Sequence, residues 1–339
     1  MKLFVTGGGG FLGLAIVSQL CEQGHQVVSF SRGVYPELEE LGVTHFRGDL
    51  SDYTAVKQAM TGCEAVFHVA AKTGVWGKYE DFYQANVVGT ETVLRVCREL
   101  GVRNLIFTSS PSVIYDGKDS EGFNESLPYP QKYIAHYPKT KAIAEKLIMA
   151  ANCASLKTVS LRPHLIWGPG DQHFLPRLFE KSKSGKLRIL GKSTKLVDCI
   201  YISNAASAHL QAFAQLLSDA TKVEGRTYFI SQGSPIPMAQ LINRLLATGG
   251  YPPVTEHLSP KIARFAGRVL EMMYSFLDIS AEPAITLFLA QQLSTSHWYN
   301  ISAAQNDFGY KAAISLEKGM EQLQAWVSMN EQRKSNYSK

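Results

Sequence analysis

Three groups of residues in this chain could do chemistry, and their order matters. They are a glycine run, Gly7-Gly8-Gly9-Gly10-Phe11-Leu12-Gly13; a hydroxyl cluster, Ser109-Ser110-Pro111-Ser112; and the segment His136-Tyr137-Pro138-Lys139-Thr140-Lys141. Tyr137 and Lys141 stand four apart, so on a helix both project from one face, which Lys139 does not share. A phenol has an ordinary pKa near 10 and an adjacent ammonium favours the phenolate, so the pair suits proton transfer. A Y-x-x-x-K spacing arises by chance in any long protein. Its weight here comes from the sequence of parts: glycine turn, then serines at a strand end, then Tyr and Lys on the next helix. Taken singly, the glycine run is a weak signal with a flexible loop as its alternative, and the serines alone read as a helix cap or polar turn.

The elements that must position these groups follow from periodicity. Lys2-Leu3-Phe4-Val5-Thr6 is a β-type run, and Leu14, Ile16, Val17 and Leu20 beyond the glycines recur as on a helix, giving the start of a dinucleotide-binding βαβ unit. Gly7, Gly10 and Gly13 hold the fingerprint spacing, which permits a tight turn, close approach of backbone to a pyrophosphate and tight helix-on-strand packing. The free N–H groups and positive dipole end at Phe11 and Leu12 then face the phosphates. A second strand over 25–30 ends at Ser31-Arg32, where such a unit meets the adenosine ribose. No Asp or Glu occurs between Val27 and Pro36, so a 2′-phosphate has room and a cation there, which favours NADPH over NADH; otherwise Arg32 is a solvated surface residue. A third strand over 44–50 brings Asp49-Leu50 to the adenine, although Asp49 reads equally as the cap of a helix starting near Ser51.

Strand 65–71 runs into Ala70-Ala71, small enough for backbone to lie against the cofactor. A long helix over 79–100 carries Asn86 past the active site, unless Asn86 is a plain helix-surface residue. Strand 104–108 empties into the serines, at the sheet edge where open parallel sheets bind ligands. Strand 158–162 ends at Pro163-His164, and the following Pro/Gly density marks a departure from the sheet. A strand over 196–202 and a helix over 203–217 return to it. The expected fold is α/β, a Rossmann-type doubly wound parallel sheet with a smaller, mainly helical substrate-binding lobe. The nucleotide domain spans 1–166 with 197–231 returning to it; the lobe takes 167–196 and 232–330, and 331–339 form a polar tail. Over 261–277, Ile262, Phe265, Ala266, Val269, Leu270, Met273, Phe276 and Leu277 make one apolar stripe opposite Lys261, Arg264, Arg268 and Glu271. That helix reads as core-docked, as a lid over an apolar substrate, or as a helix resting on a membrane surface.

The 339 residues are 45% hydrophobic and 19% charged, ordinary globular composition with material for a sizeable core. The net charge of +5 suits anionic small ligands or an anionic surface, without the dense Lys/Arg clusters of a nucleic-acid binder. Cys21, Cys63, Cys97, Cys153 and Cys199 are odd in number and form no ligand spacing, which points to reduced thiols in a cytoplasmic protein and to no metal site. Met1 leads straight into a strand, so no secretory signal is expected, and no bilayer-spanning apolar run occurs.

Over essentially the whole chain these residues resemble the extended short-chain dehydrogenase/reductase superfamily: Thr6-Gly7 through Gly13, His68-Val69-Ala70-Ala71, Asn86, Thr108-Ser109-Ser110, Tyr137 with Lys141, and Arg162-Pro163. Within it the chain resembles the 3β-hydroxysteroid dehydrogenase/isomerase branch, and there the bacterial 2-alkyl-3-oxoalkanoate reductases of long-chain olefin biosynthesis. That narrower resemblance rests on Ala70 through Gly77, Pro111 through Gly117, Glu125 through Pro130, and Gln292 through Trp298. It implies a catalytic Ser110, Tyr137 and Lys141. Tyr137 would protonate a ketone oxygen as hydride arrives, Lys141 would lower the phenol pKa and hold the ribose hydroxyls, and Ser110 would fix the oxygen. Pro111 and Ser112 leave open which hydroxyl faces the substrate. The resemblance further implies an NADP(H) site that takes in Gly7, Gly10, Phe11, Leu12, Gly13, Ser31, Arg32, Asp49, Leu50, Ala70, Ala71, Asn86, Tyr137, Lys141 and Pro163. The implied substrate is hydrophobic, a long-chain 2-alkyl-3-oxoalkanoate whose carboxylate Lys72 or His164 would meet, and the implied assembly is a homodimer, with peripheral membrane contact left open. The other readings are a 3β-hydroxysteroid or sterol dehydrogenase, a nucleotide-sugar epimerase, and a non-enzymatic NADP-sensing module.

Overall fold

Seven strands lie parallel in one sheet, in the order Arg226–Ile230, Lys157–Pro163, Asn104–Thr108, Ala65–His68, Lys2–Thr6, Gln26–Ser31, Thr44–Arg47. The computed structural model describes residues 1–191, 194–218 and 222–337. Helices cover both faces, so the strands are rich in apolar residues and alternate residues serve different cores. Leu3, Val5 and Ile106 join one core with Ile16, Val17 and Leu20 of helix Phe11–Glu22 and with Ala208 and Phe213 of helix Ile202–Leu216. Phe4, Leu105 and Phe107 join the other, with Val93 and Val96 of helix Gly89–Leu100 and with Ala144 and Ile148 of helix His136–Ala150. Strand order reverses between Lys2–Thr6 and Ala65–His68, and the crevice that opens at their carboxyl ends is where such a sheet receives a ligand.

A second, four-stranded sheet runs Ile236–Pro237, Leu196–Val197, His297–Tyr299, Ser120–Phe123. Ser120–Phe123 thus leaves the stretch assigned from sequence to the nucleotide domain. The single strand expected over 196–202 is two short ones: Leu196–Val197 in this sheet and Ile200–Tyr201 paired with Ile166–Trp167. The break lies at Asp198. Its buried carboxylate accepts from Ser231 Oγ, Gly233 N and the adjacent Cys199 N, which draws the backbone out of a ladder. Strands Thr44–Arg47 and Ala65–His68 end earlier than expected, freeing Asp49 and Ala70-Ala71 as loop.

Helix Pro260–Phe276 overturns its core-docked reading. Ala263 and Gly267 are the buried residues of the helix, while Ile262, Phe265, Met273 and Phe276 face solvent. A Cβ on Gly267 would stand 2.7 Å from the Thr286 carbonyl carbon, so small residues let the helix lie directly on backbone. At the C-terminus, helix Leu316–Tyr337 continues through most of the expected tail; residues 338–339 lie outside the described residues.

Candidate active site

One cleft at the strand-order reversal gathers nearly all the residues singled out from sequence: Gly7, Gly10, Phe11, Leu12, Gly13, Ser31, Arg32, Asp49, Leu50, Ala70, Ala71, Ser110, Tyr137, Lys141 and Pro163. Its floor is the glycine turn. Gly7 has φ +69°, and a Cβ there would lie 2.9 Å from Ala70 Cα. Gly10 precedes helix Phe11–Glu22 with no side-chain cap, which leaves the first N–H groups of that helix directed at the cleft. Thr6 Oγ1 accepts from Val69 N and Ala70 N, both at 3.1 Å, and so must donate to His68 Nδ1 at 2.8 Å. His68 Nε2 then donates to Thr90 Oγ1, which donates to Asn86 O. Burial, aided by the charge of Lys141, holds His68 neutral, with its pKa down at about 3.

The Tyr–Lys helix, His136–Ala150, is anchored by Glu145, four residues beyond Lys141. Its carboxylate takes Arg162 Nη2 at 2.6 Å and Arg162 Nε at 2.9 Å, and also accepts from Tyr129 Oη and Ser160 Oγ. Burial alone would raise this carboxyl; the bidentate guanidinium outweighs it and holds the pKa below its ordinary value. Lys141 Nζ donates to Thr108 O at 2.6 Å and lies 4.0 Å from the Phe107 ring centre. Burial lowers its pKa to about 7, against the opposing pull of Glu145. Tyr137 departs from expectation: burial raises its pKa and the hydrogen bond with Ser110 offsets only part of that. The ammonium turned toward a backbone carbonyl is not what sets the phenol. As a proton donor near neutral pH the group is fully loaded.

Ser110 lines the cleft and its Oγ sits 2.9 Å from Ser112 Oγ, which does not. Asp49 does not cap the next helix. It accepts from Ser51 N and Oγ, which lowers its pKa, while Asp52 caps helix Tyr53–Met60 through Ala55 N. His164 is also corrected: buried, its Nδ1 paired with Asp198 O and its Nε2 3.0 Å from His297 Nδ1, it is driven to a pKa of about 3 by burial and His297 and offers no cation. Lys72 does line the cleft, with Nζ 3.2 Å from Asp81.

A family model for the 3-beta hydroxysteroid dehydrogenase/isomerase family matches residues 4–258. The chain is 48% identical to a 2-alkyl-3-oxoalkanoate reductase of Shewanella oneidensis, over 95% of this chain and 85% of that one. It is 32% identical to the mouse sterol-4-alpha-carboxylate 3-dehydrogenase, decarboxylating, over 94% and 89% respectively. The chain belongs to the 3-beta hydroxysteroid dehydrogenase/isomerase family. As a member it is an oxidoreductase. A solved structure of MoeE5 in complex with UDP-glucose and NAD superposes with a TM-score of 0.74 over 97% of this chain and 99% of that one, at 23% identity, a likeness of fold.

Asn86 departs from the cofactor-contacting role that membership of this superfamily suggested from sequence. It is buried behind the cleft: Oδ1 accepts from Lys72 N at 2.7 Å, and Nδ2 donates to Lys72 O and to Thr140 Oγ1. A π-helical segment, Gln84–Val88, interrupts the helix expected over 79–100 and carries it there. Asn86 thus ties the loop after Ala71 to the helix bearing Tyr137 and Lys141. Asn86→Ala should cost about 1–3 kcal/mol of stability by stranding the Lys72 amide, read as a lowered thermal midpoint.

Sequence reading missed Tyr35 and His173, both in the cleft wall. A Cβ on Gly9 would meet the Tyr35 ring at 2.1 Å, so the surplus glycine of the run was the available signal. Asp171 receives the N–H groups of His173, Phe174 and Leu175, which fixes His173 at the cleft, and the preceding Gly-Pro-Gly offered only a turn.

Proposed function

We propose that this oxidoreductase uses NADPH to reduce the ketone of a long-chain 2-alkyl-3-oxoalkanoate to the 3-hydroxy acid. The observation that carries the reading is the meeting of Ser110, Tyr137 and Lys141 in a cleft floored by the glycine turn. The residues present fit a dinucleotide. A Cβ at Gly13 would fall 2.0 Å from Gly7 O, so that turn admits no side chain, and the buried Ser31 Oγ at the far end has no hydrogen-bond partner among the described residues. Gly7, Gly10 and the N-terminus of helix Phe11–Glu22 would hold the pyrophosphate, Ser31 and Arg32 the adenosine end, and Lys141 the nicotinamide ribose. When bound, the group supplies a hydride to the ketone carbon.

The chain's own residues manage the oxygen. Ser110 donates a hydrogen bond to it, and Tyr137 transfers its phenolic proton as negative charge grows there. Lys141, cationic when protonated, stabilises the phenolate left on Tyr137. The substrate class rests on the relatives: a 3-oxo acid alkylated at carbon 2 and a sterol oxygenated at carbon 3 with a carboxylate on carbon 4 share one motif, an oxygenated carbon next to the carbon bearing a carboxylate. Lys72, which lines the cleft beside Asp81, would meet that carboxylate.

The experiment is NADPH consumption with long-chain 2-alkyl-3-oxo acids, 3-oxosteroids and UDP-sugars in parallel. Turnover on the 3-oxo acids alone supports the reading; turnover confined to steroids or sugars sinks it. Arg32→Ala should weaken NADPH about 10–100-fold in KM and leave NADH unchanged, through loss of the charge-assisted contact to the 2′-phosphate. Equal loss for both nucleotides would defeat the NADP assignment.

A further inference from the structure

Helix Pro260–Phe276 carries its apolar residues on the side away from the protein. Phe265 is 71% exposed, Met272 67% and Phe276 88%, with Ile262, Val269, Met273 and Leu277 alongside them. At 100° per residue these seven side chains fall within about 140° of arc. The helix is held by the opposite strip. Ala263 and Gly267 lie against Thr286 and Leu287, and the Glu271 carboxylate accepts from Leu287 N at 2.8 Å. At its far end Trp76 Nε1 donates to Ile279 O, and the Trp76 ring meets Tyr274 edge-on at 6.1 Å. The apolar face is therefore firmly presented, and none of its residues lines the active-site cleft.

Charge decides what covers it. Along one flank of the apolar arc run Lys261, Arg264 and Arg268, none of them in a salt bridge among the described residues. The one acid of the helix, Glu271, is turned inward onto the Leu287 amide. A second copy of this chain would bring the same three cations toward its partner, whereas an anionic lipid surface meets them with opposite charge and takes the aromatic and aliphatic side chains into its acyl boundary. We propose that Pro260–Phe276 docks the protein on the surface of an anionic phospholipid bilayer, lying in the plane of the membrane. No helix among the described residues is long and apolar enough to cross it. Trp76 belongs to the loop that follows the cleft residues Ala71, Lys72 and Thr73, so the docked face and the cleft mouth are joined by one stapled segment.

The test is flotation of the full chain with vesicles of phosphatidylcholine alone or mixed with phosphatidylglycerol. Binding is expected on the mixed vesicles and should fall as salt rises. Phe265→Ser with Phe276→Ser should lower partition at least about tenfold. Lys261→Gln, Arg264→Gln and Arg268→Gln together should lower it roughly 100-fold. These positions lie outside the core, so unchanged thermal midpoints and dinucleotide affinity show that the variants are folded. No flotation of the parent chain at low salt overturns the proposal, as does binding indifferent to the Phe substitutions. Concentration-dependent dimers that the Phe substitutions abolish, with vesicles ignored, overturn it in favour of a second copy. No substrate enters the test, so its failure leaves the reductase reading standing.

Discussion

Tyr137→Phe is expected to lower turnover about 10³-fold while the affinity for NADPH stays close to that of the parent. The substitution removes one oxygen and leaves the ring, so packing at the start of helix His136–Ala150 is kept. What is lost is the proton donor, and an aligned general acid contributes roughly 10²–10⁴-fold. Ser110 and Lys141 remain, and with them part of the stabilisation of the growing negative charge, which is why some rate should survive. The pH profile adds a second readout. Burial holds the Tyr137 proton above the ordinary phenol range, so in the parent the acid form persists through neutral pH and is lost only as pH rises through that elevated value. Reduction in the parent should therefore fall in two steps, a first near pH 7 as Lys141 gives up its charge and a second at the elevated Tyr137 value, and Tyr137→Phe should lack the second. Steady-state NADPH oxidation from mildly acidic to alkaline pH, with affinity followed by nicotinamide fluorescence, measures both. A variant turning over within about tenfold of the parent would remove Tyr137 from the mechanism.

Gly13→Val should abolish dinucleotide binding and lower stability by about 2–4 kcal/mol. Already its Cβ would stand 2.0 Å from Gly7 O, 2.7 Å from Gly7 C and 2.9 Å from Gly8 Cα. All three are backbone atoms of the turn itself, so relief means moving the turn that would hold the pyrophosphate. Gly24→Ala is the useful contrast. Gly24 has φ +79° with nothing within 4 Å, so the change strains one residue, about 1–2 kcal/mol, without touching the cleft. Thermal melts of both variants, with and without NADPH, separate the effects. The parent and Gly24→Ala should gain thermal stability on adding nucleotide, and Gly13→Val should not. A nucleotide-dependent rise in Gly13→Val would mean that the glycine turn is not the phosphate cradle.

The glycine spacing, the apolar strand runs and the Tyr137–Lys141 interval were readable because each is set by local geometry. Only residues without Cβ fit the Gly7 and Gly13 positions, strands covered on both faces are rich in apolar residues, and four residues along a helix return to the same face. Asn86 shows where that reasoning stops. Its helical position was legible, but whether it met a ligand or the Lys72 backbone depended on a π-helical segment with no mark in the hydrophobic pattern. His164 shows the same limit, because a histidine at a strand exit becomes a buried neutral group only once His297, 133 residues later, is folded beside it.

The amino-acid sequence by itself determined the α/β architecture and the location of the cleft along the chain, since these rest on periodicity and on residues whose backbone freedom or chemistry few others can replace. Tertiary structure alone decided that Lys141 points at Thr108 O, that burial governs the Tyr137 proton, and that the apolar stripe of Pro260–Phe276 faces outward. The reason is physical: a sequence shows that a helix has an apolar side and an ionisable group has neighbours, whereas desolvation and docking depend on which distant segments exclude water from each.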